Sequence, residues 1–506
     1  MQKDYFVDIH CHPSIKAYAR SFRKSPAGQQ SANIKDASSI WRTDNPSLFD
    51  KLKNYVVSLT NFIQSDATNL YRGRVAVACL SFYPQEKGFF NNKIGSGLFS
   101  DTLTILATEF GQERIDHIQS HDSYWNDFRM ETDFVLQREG KEVVIDGQKV
   151  KYTIARSFDD IQMYDRSEEL GVNVIVFVPT IEGGHIFDQV MDNNDPCHNH
   201  PNGVSDDFMP TLLSRVAELR SGNTGLLRPA FITLAHHFWN GLCGHAPSLG
   251  GLVKCVIDQK NGLNEGFFTA GKLVVRELIG ERKDAAGNLL PLIPIDIKHM
   301  SRKSRLEYFE LLKQEYNHMD VPILCSHAGV TGKPAPGLPP VTAAAKEGLF
   351  MVDDINLYDD EILQIEASAG LFGIQLDERR IGSKQALRAA KGNLGRRDIL
   401  YSWSKLVWNQ VRHIAELLDM HDRYAWGIQS LGTDFDGIID PINGYWTASS
   451  LDHLDDYLLK HAYNYLKEVK VPCSLVQGRN RSVTPEEVVD RLMTSNALNF
   501  LATYFK

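Results

Sequence analysis

The chain has 506 residues, 43% apolar and 23% charged, with seven Trp, 25 Phe and 18 Tyr to bury. That composition belongs to a globular protein and excludes a disordered one. Lys and Arg number 54 against 63 Asp and Glu, a formal charge of −9, which argues against a nucleic-acid surface because phosphate binding wants a basic excess. No stretch of about 18 apolar residues occurs, so no membrane span is expected. The stretch from Met1 to Asp8 lacks the apolar core of a signal peptide. The seven Cys, at 11, 79, 197, 243, 255, 325 and 473, are scattered and form no C-x-x-C pair. Reduced thiols in a cytoplasmic protein are the expectation, with no disulfide framework and no thiolate zinc site.

Eight short apolar runs follow one another along the chain, at 5–12, 74–82, 172–182, 229–236, 292–299, 321–327, 370–377 and 426–434. Their length and β-branched content suit buried parallel strands. Between them lie segments of helical period, such as Leu273–Ile279 and Ser304–Leu312. A third helix is expected after Thr484, an N-cap residue followed by Pro485 and two Glu. Eight strands alternating with helices predict an α/β fold, a (β/α)8 TIM barrel. A doubly wound open sheet is the structural alternative. The chain exceeds the ~250 residues of such a barrel, and the excess reads as insertions at about 13–70, 86–165, 186–225 and 379–397 within one domain spanning 1–506.

The strand ends carry the chemistry. In a barrel the active site lies at the C-terminal ends of the strands. Here those ends bear His10, His12, Glu182, His236, His299, His327 and Asp434. A core has no use for so many ionisable groups, because burying them costs free energy unless they are paired or bound to metal. His10 and His12 share one strand face, since side chains repeat every two residues. Alone, such a pair is commonly two unrelated histidines; with His299 and His327 ending adjacent strands, a metal site is the simpler explanation. Imidazole and carboxylate ligands suit zinc, with manganese, iron or nickel as alternatives. Asp434 can take a proton from a metal-activated water, and Asp436 beside it reads as a structural turn residue. His236 is a candidate to steady an oxyanion, and His237 should point away if the segment is extended. Cys197-His198-Asn199-His200 lies in a Pro- and Asn-rich insertion and reads as a surface loop.

In order along most of the chain, these motifs resemble the membrane (renal) dipeptidase family of zinc peptidases. Asp8-Ile9-His10-Cys11-His12 resembles its D-G-H-x-D start, and Glu182-Gly183-Gly184-His185 its E-G-G-H. Leu234-Ala235-His236 with Asn240 resembles L-T-H-x-x-x-N. Asp296 to Ser301 resembles D-L-x-H-x-S, Pro322 to His327 resembles P-V-I-x-S-H, and Gly432 to Gly437 resembles G-x-D-F-D-G. The resemblance implies two zinc ions, one held by His10, His12 and Glu182 and the other by Glu182, His299 and His327. It implies attack on a small amide, most simply a dipeptide, by a metal-bound hydroxide, with Asp434 as general base and His236 and Asn240 at the substrate.

Two departures stand out. His12 replaces the family's Asp, leaving the site one negative charge poorer. Ile355 replaces the Arg that grips the substrate carboxylate, and Arg379 or Arg380 is the candidate substitute. A solvated pair with Asp377 or Glu378 is the competing reading for both. Two other functions compete with amide hydrolysis: hydrolysis of a lactam, lactone or phosphoester by the same metal chemistry, and a non-catalytic metal-binding scaffold. The expected partner is a small molecule, with neither nucleic acid nor membrane; homo-oligomerisation stays open.

Overall fold

The computed structural model describes residues 4–23, 28–47, 50–51, 60, 62–90, 110–162, 171–188, 199–222, 225–249, 257–284, 286–316, 321–393, 395–468 and 473–506. Cys197, His198 and Cys255 lie outside the described residues. The strands are β1 (Phe6–Cys11), β2 (Val75–Phe82), β3 (Val143–Ile145), β4 (Gln148–Ile154), β5 (Asn173–Glu182), β6 (Ile232–Thr233), β7 (Ile295–Asp296), β8 (Ile323–Ala328), β9 (Leu371–Ile374) and β10 (Gln429–Leu431). Each of the eight expected runs holds one of them. The residues group into two compact units. The first comprises Met1–Cys11, Asn45–Ala78 and Pro322–Leu501; the second comprises His12–Asp44, Cys79–Val321 and Ala502–Lys506.

In the first unit β8, β9 and β10 run parallel, with Cys325, Phe372 and Gln429 in register. The first strand of the chain joins the last: Cys11 bridges Phe435 in parallel, and Asp434 N donates to His10 O at 2.9 Å. That is the seam a (β/α)8 barrel needs. The sheet is strongly curled. Three strand spacings separate β8 from β1, roughly 14 Å in a flat sheet. Yet the rings of His10 and His327 stack with centroids 3.9 Å apart. Helices Asp359–Ala367 and Arg396–Met420 lie between consecutive strands. The longer one buries Trp403, Val407, Val411, Ile414 and Leu418 on one face. Helix Pro485–Asp490 starts as expected, with the Thr484 side chain accepting from Glu487 N and Pro485 in the first turn.

In the second unit β5, β6 and β7 run parallel with Ile181, Ile232 and Ile295 abreast, followed by Glu182, Thr233 and Asp296. Helices Met209–Ser221, Thr269–Ile279 and Arg302–Glu315 follow these three strands in turn. β6 and β7 are only two residues long. Pro229 opens one run, and Pro291 and Pro294 lie just before and within the other; none has an N–H for a ladder.

The stretch 86–165, expected as an insertion, supplies two strands of its own. β3 and β4 pair antiparallel, and β4 then adds to β5 in parallel. The hairpin turn is Asp146-Gly147, both with positive φ (51° and 81°), the conformation a two-residue turn demands. Helix Tyr124–Leu136 packs through buried polar contacts. Arg114 grips Asp127 with two bonds of 2.7 Å, and Tyr18 Oη donates to the same carboxylate at 2.9 Å. Glu131 accepts from Ser14 Oγ at 2.7 Å and from Tyr83 N at 3.3 Å, so it ties the segment after β2 to this helix.

Burial, with Asp127 nearby, pushes the Glu131 carboxyl from 4.5 up to about 7. A carboxyl raised on folding stabilises fully below its unfolded value, and that contribution is lost as pH rises through the folded one. Between pH 4.5 and 7.5 the wild type should therefore lose on the order of 2–3 kcal/mol that Glu131→Gln does not lose. Urea midpoints at the two pH values measure this, and parallel changes in both proteins would contradict the assignment.

Candidate metal centre

In the first unit β1 presents Asp8 and His10 on one face. Asp8 Oδ1 accepts from His10 N at 3.1 Å and Thr433 N at 3.0 Å, and Oδ2 accepts from Thr433 Oγ1 at 2.6 Å. Burial pushes the Asp8 carboxyl up to about 6, against these donors, which favour the anion. Asp8 thus latches β1 to the segment that carries Asp434. Ser326 Oγ lies 3.3 Å from His10 Nδ1 and 2.9 Å from His327 Nδ1. Both Nε2 atoms turn to Asp434, each 3.8 Å from one of its oxygens. Gln375 Nε2 donates to Asp434 Oδ2 at 2.6 Å. His10, His327 and Asp434 are buried, and their ligand atoms lie within 4.8 Å of one another.

Glycine makes room for this geometry. The register of β8 on β9 slips between Cys325 and Ala328, where Ser326 and His327 sit. There Ser326 O presses on Gly373 and Gly432. A Cβ at either position would lie 1.8 or 1.9 Å from that oxygen.

In the second unit Glu182 ends β5, and Gly183 turns the chain with φ of +111°. Glu182 Oε2 lies 3.0 Å from His12 Nε2. Its Oε1 lies 3.2 Å from His299 Nε2 and 3.5 Å from His236 Nε2. His12 Nδ1 sits 3.0 Å from Ser81 O. A carbonyl only accepts, so that nitrogen carries the hydrogen. In the neutral ring the Nε2 lone pair then faces a carboxylate oxygen at 3.0 Å. That contact is repulsive unless a proton or a cation lies between them. Burial pushes His299 well below its ordinary range, leaving a neutral ring with a lone pair to share. For His236 burial opposes the charge, but Glu182 and Glu86 on either side outweigh it and raise the ring to about 9. His299 and Asp434 both hold positive φ, 65° and 59°. Non-glycine residues adopt that conformation at a cost of about 1–3 kcal/mol.

The other expected residues fall as follows. His237 does not point away, because the segment after β6 is not extended. Its ring lies 5.1 Å from that of His299, and it joins His236 and His299 in a group whose ligand atoms are mutually within 4.8 Å. Asn240 is buried and bonded within its own loop, donating to Leu234 O at 2.6 Å and accepting from Leu242 N at 3.0 Å. Arg379 binds Asp377 through Nε and Nη2, at 2.9 and 2.6 Å, and donates from Nη2 to Ile438 O at 2.9 Å. Arg380 lies 3.9 Å from Asp353. Ile355 is buried. Asp436 is the turn residue expected, accepting from the backbone and hydroxyl of Ser65 at 2.8 Å each. His200 accepts from Asn202 N at 3.3 Å within its loop.

Sequence reasoning missed Gln375 and Glu86. Glu86 Oε2 lies 2.6 Å from His236 Nδ1. The signal was its place, four residues past the end of β2, one of the two expected strands to which no ionisable end was assigned; Gln375 lies in the other.

No family model matches the chain, and no curated protein matches it in sequence. Among solved structures it is similar to a metallopeptidase described as dipeptidase AC, at 13% identity and a TM-score of 0.46 over 99% of this chain and 98% of that one. It is also similar to a metallopeptidase from Rhodobacter sphaeroides carrying a phosphinate mimic of the dipeptide L-Ala-D-Ala, at 13% identity and 0.47 over 99% of both chains. A probable dipeptidase from Pseudomonas aeruginosa aligns at 14% identity and 0.44 over 87% of this chain and 88% of its own.

If cations belong between these groups, zinc stabilises the fold. At a hundredfold excess over Kd the gain is about 2.7 kcal/mol, read as a rise in Tm over chelator-treated protein. Glu182→Gln should lose most of that rise. An equal rise in both proteins would show that zinc binds elsewhere.

Proposed function

We propose that this protein is a metal-dependent hydrolase of small amides, with dipeptides the first candidates, working in the manner of the membrane dipeptidases. One observation carries the reading: the two oxygens of the buried Glu182 carboxylate each face a different imidazole nitrogen, at 3.0 and 3.2 Å. The proposal keeps two zinc ions, one held by His10, His12 and Glu182 and the other by Glu182, His299 and His327. One residue separates His10 from His12, so the chain itself holds their Cα atoms within about 7 Å. The donor set fits divalent zinc: four imidazoles and one carboxylate, all buried. Bound cations would polarise the scissile carbonyl and lower the pKa of a coordinated water.

The chain's own groups supply the remainder. Asp434, aimed by Gln375, takes the proton of the attacking water and returns it to the leaving amine. His236 donates from Nε2 to the oxyanion as the carbonyl becomes tetrahedral. One domain, a cytoplasmic setting and a small-molecule partner complete the proposal. No helix among the described residues is long and apolar enough to cross a membrane. The ion pair of Arg379 with Asp377 favours a second reading for the substrate. With that guanidinium already engaged and Ile355 in place of an Arg, a lactam, lactone or phosphoester, none of which requires a carboxylate anchor, competes with a dipeptide.

A panel of dipeptides, acylated amino acids and lactones should therefore reveal turnover in the zinc-loaded protein. Asp434→Asn should keep its zinc and lose 10²–10⁴-fold in kcat, the usual contribution of a general base. Full turnover in that variant would contradict the role of Asp434.

A further inference from the structure

Glu86 stands outside every ligand set above, yet it is buried against His236 from two directions. Its Oε2 lies 2.6 Å from His236 Nδ1, and its Oε1 accepts from Phe238 N at 3.2 Å. One carboxylate thus holds both the ring of His236 and the backbone two residues further on. Glu86 is in turn held. Tyr83 Oη donates to Oε2 at 3.0 Å. His185 Nε2 lies 2.7 Å from Pro84 O, which fixes the loop just before Glu86. The 3₁₀ turn that follows, Lys87–Phe89, is locked onto the His236 loop, since a Cβ at Gly88 would lie 2.5 Å from the Phe238 ring. Phe89 meets Phe238 edge to face at 5.1 Å.

We propose that Glu86 is a positioning residue for the hydrolytic reaction: by accepting a hydrogen bond from His236 Nδ1 it fixes the ring so that Nε2 faces the substrate. An ionised carboxylate accepts and does not donate, so the hydrogen between the two groups belongs to His236 Nδ1. Nε2 is then directed to the side where Glu182 Oε1 lies, 3.5 Å away. Groups of this kind, one shell behind the reacting atoms, typically carry 10–100-fold of activity. The assignment rests on the hydrolase reading for its catalytic consequence, but the hydrogen bond from Nδ1 to Glu86 does not.

The test uses the full-length zinc-loaded protein labelled with ¹⁵N-histidine, the His236 resonances being identified by their loss in His236→Asn. The wild type should show a protonated, strongly hydrogen-bonded Nδ1, and Glu86→Gln should weaken or abolish that signature. An Nδ1 without its hydrogen in the wild type, or a signal unchanged in the variant, overturns the proposal. If Glu86→Gln fails to fold, the wild-type spectrum and Glu86→Asp still decide it. In turnover assays Glu86→Gln should lower kcat about 10–100-fold at unchanged zinc content. The same substitution in a His236→Ala background should change kcat less than about threefold, because a residue acting through His236 has nothing left to position. Additive losses would overturn the proposal. Absence of turnover in the wild type would instead count against the hydrolase reading and leave the spectroscopic result standing.

Discussion

The second unit is built around a buried carboxylate, Glu182, that has an imidazole nitrogen against each of its oxygens. Ser81 O fixes the hydrogen of His12 on Nδ1, so Nε2 turns a lone pair toward Glu182 Oε2. Burial keeps His299 neutral against Oε1. Removing charged groups from water costs several kcal/mol each unless something of opposite sign repays it. Shared protons would repay part of that cost. Divalent cations would repay it and relieve the contacts at both oxygens.

Both units brace their candidate ligands with the same device. A strand Asp accepts from the backbone N–H two residues on and from a Thr hydroxyl on a neighbouring segment. In the first unit Asp8 takes His10 N and Thr433 Oγ1. In the second, Asp296 takes Lys298 N at 3.0 Å and Thr233 Oγ1 at 2.6 Å. The residues so braced stand beside Asp434 and His299, both of which hold positive φ. Backbone strain of this kind persists only where the surroundings over-determine it, and the paired Asp–Thr latches provide that. The same logic extends to Glu86, which pins the loop of His236 through a ring nitrogen and a backbone amide.

Much of this was legible in the sequence, because buried parallel strands and their polar ends follow from burial alone. All eight apolar runs hold strands, and Thr484-Pro485 starts a helix as its capping chemistry requires. Other features needed tertiary information. β6 and β7 shrink to two residues because prolines occupy the flanks of runs that otherwise look like full strands. The β3–β4 hairpin was encoded by Asp146-Gly147 but lay inside a stretch read only by its polarity. His237 turned toward His299 because the chain leaves its extended path just after β6. The pairing of Arg379 with Asp377 was the local alternative to a substrate contact, and the two residues are near enough in sequence for either.

The central claim is that cations belong at Glu182 and at the imidazoles that face it. Anomalous diffraction on either side of the zinc edge, from crystals grown with zinc, tests it most directly. The account predicts peaks about 2.0–2.2 Å from the oxygens of Glu182 and from the Nε2 atoms of His12 and His299. A map with no anomalous density there, and with those rings turned to donate protons to the carboxylate instead, would contradict it.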